Sequence, residues 1–193
     1  MTAWQTLLEE PEAEEHLVQL YGNDDQLLVR NVCRFLAAGA RRGDGLLVVA
    51  TPEHRLAIER SLGDEVSARL ALLDARTTLD RIMVDGEPDA GCFTRVIGPA
   101  LRVLRARAPS GKVRAFGEMV GLLWQDGQAG AAERLEEHWN DLLRGSEASL
   151  FCAYPIDALG GGTELGPLGA ILRSHTHLCA GPRTMFSNPR RSR

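Results

Sequence analysis

The sequence holds one lysine, Lys112; every other basic residue is arginine. A Walker A loop needs a lysine between a strand and a helix to reach the β- and γ-phosphates. Lys112 instead precedes a strand-like stretch, and no G-x-x-x-x-G-K-[ST] occurs. ATP hydrolysis by the standard phosphate loop is therefore excluded. Aromatics are scarce at 5%, so the core must rest on Leu, Val, Ala and Ile. Cys33, Cys92, Cys152 and Cys179 are widely spaced with no C-x-x-C pair, which predicts reduced structural thiols. No apolar run approaches the roughly 18 residues that span a bilayer. Residues 1–15 are acidic and carry no basic-then-apolar leader pattern. These absences predict a cytoplasmic protein with no membrane partner. A net charge of −4 leaves no broad basic face, so no direct nucleic-acid partner is expected. Arg41-Arg42 and Arg190-Arg191-Ser192-Arg193 are local exceptions.

What is present fits one globular domain: 193 residues, 44% hydrophobic and 25% charged. Residues 1–13 read as an acidic lead-in, helical or disordered, whose Trp4, Leu7 and Leu8 can dock one turn of helix on a neighbour; 14–180 read as the domain, and 181–193 as a basic, solvated and disordered tail. His16 to Tyr21 reads as the first strand. Gly22-Asn23-Asp24 is a turn with a helix N-cap in Asn23 or Asp24. Leu27, Leu28, Val32, Phe35 and Leu36 recur at helical spacing. The unbroken apolar run Leu46-Leu47-Val48-Val49-Ala50 suits a strand buried on both faces of a parallel sheet. Thr51-Pro52 then caps and opens a helix to about Leu62. Arg69 to Asp74 is a third strand, and Ala75 to Asp89 is expected to run irregularly over the surface.

Phe93, Val96, Ile97, Ala100, Leu101 and Leu104 make the clearest amphipathic helix. Val113 to Val120 is read as a short buried strand that delivers Glu118 to its end. Gly121 to Gly127 follows as a candidate moving segment. Ala132, Leu135, Trp139, Leu142 and Leu143 line a further helix, and Ser149 to Pro155 is a fifth strand. Gly160-Gly161-Gly162 is a flexible loop, a short helix runs from Thr163 or Glu164 through Leu172, and an extended piece lies within 178–187. Repeated strand–helix alternation predicts a three-layer α/β domain with a mostly parallel central sheet flanked by helices.

In such a sheet, ligands sit beyond the carboxyl ends of the strands. The strand ends offer Tyr21, Asp24, Thr51, His54, Asp74, Glu118, Tyr154 and Asp157, and Trp124 lies beside two glycines as a pocket lid or an interface residue. Glu118 is either a ligand-pocket acid or a buried structural carboxylate. In both cases it needs a donor such as histidine, arginine or tyrosine, because an unpaired buried carboxylate costs several kcal/mol. His16 falls at the opposite, amino edge and is expected to be structural, His54 to be a surface residue, and Trp139 to be core. His175 and His177 with Cys152 or Cys179 supply metal-ligand types, but the spacing is no zinc motif. No catalytic residue, metal or cofactor is assigned.

Several stretches together resemble one family. They are His16-Leu-Val-Gln-Leu-Tyr21, Phe35-Leu-Ala-Ala-Gly39, Leu47-Val-Val-Ala-Thr-Pro-Glu-His54, Arg114-Ala-Phe-Gly-Glu-Met-Val-Gly-Leu-Leu-Trp124, Leu135-Glu136 with Trp139-Asn140, Leu150-Phe-Cys-Ala-Tyr-Pro155, and His175. This ordered set resembles the MEDS sensory domains over about residues 14–180. The resemblance implies a domain similar to the RecA-like core of the KaiC ATPases with its phosphate loop lost. It also implies a non-enzymatic sensor of small organic molecules, hydrocarbon derivatives among them. Such sensors occur joined to DNA-binding or histidine-kinase-like outputs, and the sequence has no recognisable output domain, so it is expected to signal to a separate protein partner or to act by itself. Two alternatives stay open. One is an interaction module, self-associating or serving a kinase or anti-sigma system. The other is a relic nucleotide binder using Arg30 or Arg114 for the missing lysine.

Overall fold

The computed structural model describes residues 3–22, 25–67, 69–155, 169 and 173–179. The chain runs α1 (Ala3–Glu9), β1 (His16–Tyr21), α2 (Asp25–Arg42), β2 (Gly45–Ala50), α3 (Pro52–Leu62), α4 (Asp64–Ser67) and β3 (Leu70–Asp74). It continues through α5 (Ala75–Ile82), β4 (Met83–Val84), β5 (Glu87–Pro88), α6 (Ala90–Arg107), β6 (Val113–Gly117), α7 (Met119–Gln125), α8 (Ala129–Leu143), β7 (Ala148–Pro155) and β8 (His177–Cys179). Six strands form one sheet in the order β3-β2-β6-β7-β1-β8, and every neighbouring pair is parallel. The expected α/β architecture is present.

Alternating side chains divide the core into two layers. Val18, Val49, Ala115, Leu150 and Cys152 pack with residues of α5, α6, α7 and α8. Leu17, Val48, Phe116, Phe151 and Ala153 pack with residues of α1, α2 and α3. Each fully buried Leu or Phe stabilises the fold by roughly 1.5–3 kcal/mol, which is how so few aromatics suffice. Arg114 ties the second layer together. Its Nε donates to Asp44 at 2.9 Å, and its other nitrogens donate to the carbonyls of Leu8, Glu9 and Phe35. Gly39 makes room for it, since a Cβ there would lie 2.5 Å from Arg114 Cδ. With its donors committed at the amino end of the sheet, Arg114 does not reach a strand-end phosphate.

Of the two states the sequence allows the lead-in, the structure has the helix, with Leu8 fully buried against α2. Two segments differ from the sequence reading. Residues 75–89 are ordered: α5 is capped by Asp74 and buries Ala75, Thr78, Leu79 and Ile82, and the antiparallel hairpin β4–β5 follows. Residues 119–125 are helical, with Met119 to Leu123 buried. Gly121 permits that helix, because a Cβ there would meet Ala153 O at 2.5 Å. The Gly160–Gly162 loop, most of the 163–172 helix and the 181–193 tail lie outside the described residues.

Strand order reverses between β2 and β6. After β2 the chain enters α3 on one face, and after β6 it enters α7 on the other. The two departing connections leave a crevice between them, the usual place for a ligand in an open parallel sheet.

Candidate functional site

The crevice is a cleft of about 530 Å³ whose lining includes Tyr21, Thr51, His54, Glu118, Gly121 and Pro155. Glu118 is 4% exposed and does have donors. The Thr51 backbone N–H donates to its Oε2 at 2.8 Å, and the His54 ring donates through Nδ1 to its Oε1. Backbone pairing places it there, since Glu118 N bonds Val49 O at 3.0 Å and prolongs the β2–β6 ladder by one step. Glu118 thereby holds the β2–α3 turn at the positive end of α3, where a carboxylate is favoured.

His54 is a correction: it is a cleft residue with 14% of its side chain exposed, not a surface residue. It lies in the first turn of α3, which Pro52 opens, and its ring meets Glu118. The hydrogen bond to Glu118 raises its pKa despite burial, with Asp25 and Glu53 adding to the rise. Its Nε2 lies 3.9 Å from Asp25 Oδ1, and Tyr21 meets its ring edge-on at 6.4 Å. Burial, Glu118 and Asp25 all push the Tyr21 hydroxyl pKa upward, so Tyr21 is a donor at neutral pH.

Of the residues nominated at the strand ends, the cleft gathers Tyr21, Thr51, His54 and Glu118. Asp24 and Asp157 lie outside the described residues. Asp74 is not in the cleft: it caps α5 by accepting from Thr77 N at 2.9 Å, and that backbone bond lowers its pKa. Tyr154 is turned to the opposite face, where its hydroxyl donates to Glu136 at 2.6 Å. Strand pleating explains this, since Tyr154 shares a face with Cys152 and not with Ala153. Trp124 follows it, packing edge-on to Tyr154 at 6.1 Å. A larger groove of about 620 Å³ lies at the amino ends, between β3 and α6. We give the cleft priority over it because the groove is lined mainly by apolar side chains such as Leu70, Pro99 and Val103, and its one acid, Asp44, is committed to Arg114.

A second polar centre lies on the α8 side of the sheet. His16 of β1, Glu136 of α8, Cys152 of β7 and His175 bring their ligating atoms within 4.8 Å of one another. His16 Nε2 is 3.2 Å from Cys152 Sγ and 3.3 Å from Glu136 Oε2. His175 Nε2 is 3.2 Å from Glu136 Oε1. The side chains of His16, Glu136 and His175 are each 1% exposed. Burial lowers the His16 pKa to about 4, against Glu136 and the Asn140 bond. Burial pushes Glu136 up, but His175, His16 and Tyr154 outweigh it and leave the carboxyl below its usual range. Burial and Glu136 hold the Cys152 thiol pKa well above normal. His177 stays apart, paired with Glu15 at 2.9 Å.

The sequence reading missed Glu136 and Asn140. A signal existed: Glu136 falls on the inward stripe of α8 with Ala132, Leu135 and Trp139, and a carboxylate there must be paired.

The fold and cleft together define a parallel α/β domain with an acid–imidazole pair at its switch point. The MEDS family model, described as MEthanogen/methylotroph, DcmR Sensory domain, matches residues 15–175. The chain belongs to this family of sensory domains. Comparison with curated proteins gives no match. Among the described residues, no helix is long and apolar enough to cross a membrane.

Proposed function

We propose that this chain is a non-enzymatic sensory module. It binds a small organic molecule in the Glu118 cleft and signals to a separate protein. The observation that supports this most is the state of Glu118. A carboxylate has about four lone-pair sites, and Thr51 and His54 occupy two. The remaining sites, with Asp25 and Glu53 nearby, suit a ligand that donates hydrogen bonds: an alcohol, an amine or an ammonium. Its apolar part would rest on Leu122, Ala153 and Pro155. Among the described lining residues none is lysine or arginine, which disfavours a nucleotide. None is serine or cysteine either, which leaves His54 without the usual nucleophile to activate. Signal would leave through α7, which begins beside Glu118 and lines the cleft with Gly121, Leu122 and Gln125.

The test is a thermal-shift screen of wild type and Glu118→Ala against small alcohols, amines and carboxylic acids. Donor ligands should raise the wild-type midpoint and leave the variant unchanged. No stabilisation of wild type by any class would overturn the reading. The β3–α6 groove, with Val103 48% exposed, favours a second reading, an interaction module without a ligand. That reading would gain if self-association were lost in Val103→Glu while the screen stayed silent.

A further inference from the structure

His16 makes a defined outer contact. Its Nδ1 is 2.8 Å from Asn140 Oδ1. The Asn140 amide is oriented by its own donation, Nδ2 to Ser174 O at 3.1 Å. Asn140 therefore presents an acceptor, His16 Nδ1 carries the proton, and Nε2 turns a lone pair inward. That lone pair faces Glu136 Oε2 at 3.3 Å and Cys152 Sγ at 3.2 Å. The thiol supplies the one proton between these two acceptors, and Cys152 Sγ lies 3.9 Å from Glu136 Oε2; the other carboxylate oxygen, Oε1, has the Tyr154 hydroxyl at 2.6 Å and His175 Nε2 at 3.2 Å. Lone pairs converging in a dry core call for a cation.

We propose that His16, Glu136, Cys152 and His175 form a closed structural site for a divalent transition metal of the zinc class. Two imidazoles, a thiolate and a carboxylate are its customary ligand types. Four protein ligands leave no open position, which marks a structural site and not a catalytic one. The charges also balance: a dication with one thiolate, one carboxylate and two neutral imidazoles is neutral overall, which a fully buried site tolerates. Metal–nitrogen and metal–sulfur bonds of about 2.0–2.3 Å give tetrahedral edges of roughly 3.3–3.8 Å. Ligand atoms already within 4.8 Å need only a small contraction. Outer contacts are in place too, Asn140 on His16 and Tyr154 on Glu136, the kind that orient ligands and tune affinity. Cys152 loses its proton to solvent on binding. The metal would fasten the segment that leads into β8 to the sheet and α8.

Cobalt tests this directly. The full chain is stripped with chelator, then loaded with cobalt both folded and during refolding. One cobalt per chain is expected, with tetrahedral d–d bands and a thiolate-to-cobalt charge-transfer band. Cys152→Ser should lose that band, whereas serine at each of the other three cysteines should keep it. Asn140→Ala should keep it and bind about 10–100-fold more weakly, which marks Asn140 as a positioning residue. Zinc should raise the wild-type thermal midpoint and not that of Cys152→Ser. No uptake by wild type overturns the proposal, as does uptake without the thiolate band. Either wild-type result decides even if Cys152→Ser fails to fold. An unchanged band in folded Cys152→Ser would mean an adventitious ion elsewhere and also overturns it.

Discussion

Two glutamates on opposite sides of one sheet each meet histidine, yet their surroundings differ. Glu118 stands at the strand ends, braced by Thr51 N–H and His54, with the rest of its valence turned to a cleft. Glu136 projects from α8 into the interior, where His16, Cys152, Tyr154 and His175 enclose it. Water can replace a lost partner at Glu118 but not at Glu136. The same acid–imidazole pair is therefore available to a ligand in one place and locked into the fold in the other.

The sharpest way to break this contrast is to remove each acid. Glu136→Ala strands a tyrosine hydroxyl and two imidazoles in a dry core. It should cost about 3–5 kcal/mol, the range for breaking a buried charged network, read as the shift in denaturant midpoint at constant slope. Equal losses from Glu136→Ala and Glu118→Ala would show that the two acids are equally locked into the fold.

Acid should then attack the interior centre first. His16 is held neutral in the fold with its pKa lowered from 6.5 to about 4, whereas the unfolded chain takes up a proton below 6.5. The unfolded state binds more protons across that window, so stability rises with pH through it. The His16 contribution is full above pH 6.5 and falls as pH drops toward 4, by up to about 3 kcal/mol. Glu136, whose pKa is also lowered, adds its loss only below its ordinary value of 4.5. Denaturant midpoints measured with chelator from pH 7 to 4 should slope in wild type and flatten in His16→Gln. A flat wild-type profile over this range would show that His16 titrates normally.

These two centres were unequally legible in the sequence. The cleft follows from local rules: Thr51-Pro52 announces α3, the run before it announces β2, and strand-end placement nominates Glu118, Thr51 and Tyr21. His54 was misjudged because a first-turn position alone does not reveal which way the ring turns. The interior centre joins residues as distant as His16 and His175, and only tertiary packing brings them together. His16 keeps phase with Val18 and Leu20 along β1, and Glu136 keeps phase with Trp139 on α8; such phase marks each as inward but does not reveal that they are neighbours. Tyr154 and Asp74 were misplaced because a strand end says little about which face or helix cap a side chain will serve. Residues 75–89 hide a helix because buried Thr78 and its polar neighbours blur the apolar stripe.

A smaller effect should appear at Glu118. Glu118→Ala removes one backbone bond and one imidazole bond, and water entering from the cleft can satisfy both donors. The expected cost is about 1–2 kcal/mol, below that of Glu136→Ala. The same variant should lose the ligand-dependent shift in the thermal screen. Retained ligand stabilisation would move the binding site away from Glu118, whatever the stability change.

The smallest expected effect has the opposite pH sign and so separates the centres most cleanly. The His54 pKa is raised above 6.5, chiefly by its hydrogen bond to Glu118. In the fold His54 holds its proton more tightly than in the unfolded chain. Its contribution is fully present below pH 6.5 and is lost as pH rises through the folded value. Because His54 borders the open cleft, solvent screening holds this to about 1 kcal/mol or less. Wild-type stability should decline slightly from pH 6.5 into the alkaline range, and Glu118→Gln, which keeps the side-chain size, should remove that decline. Ring-proton NMR gives the direct measurement: the His54 midpoint should lie above 6.5 in wild type and fall in the variant, while the His16 ring stays silent from pH 5 upward. If His54 titrates identically in both proteins, its pairing with Glu118 does not set its charge. The cleft would then offer a ligand a bare carboxylate in place of an acid–imidazole pair.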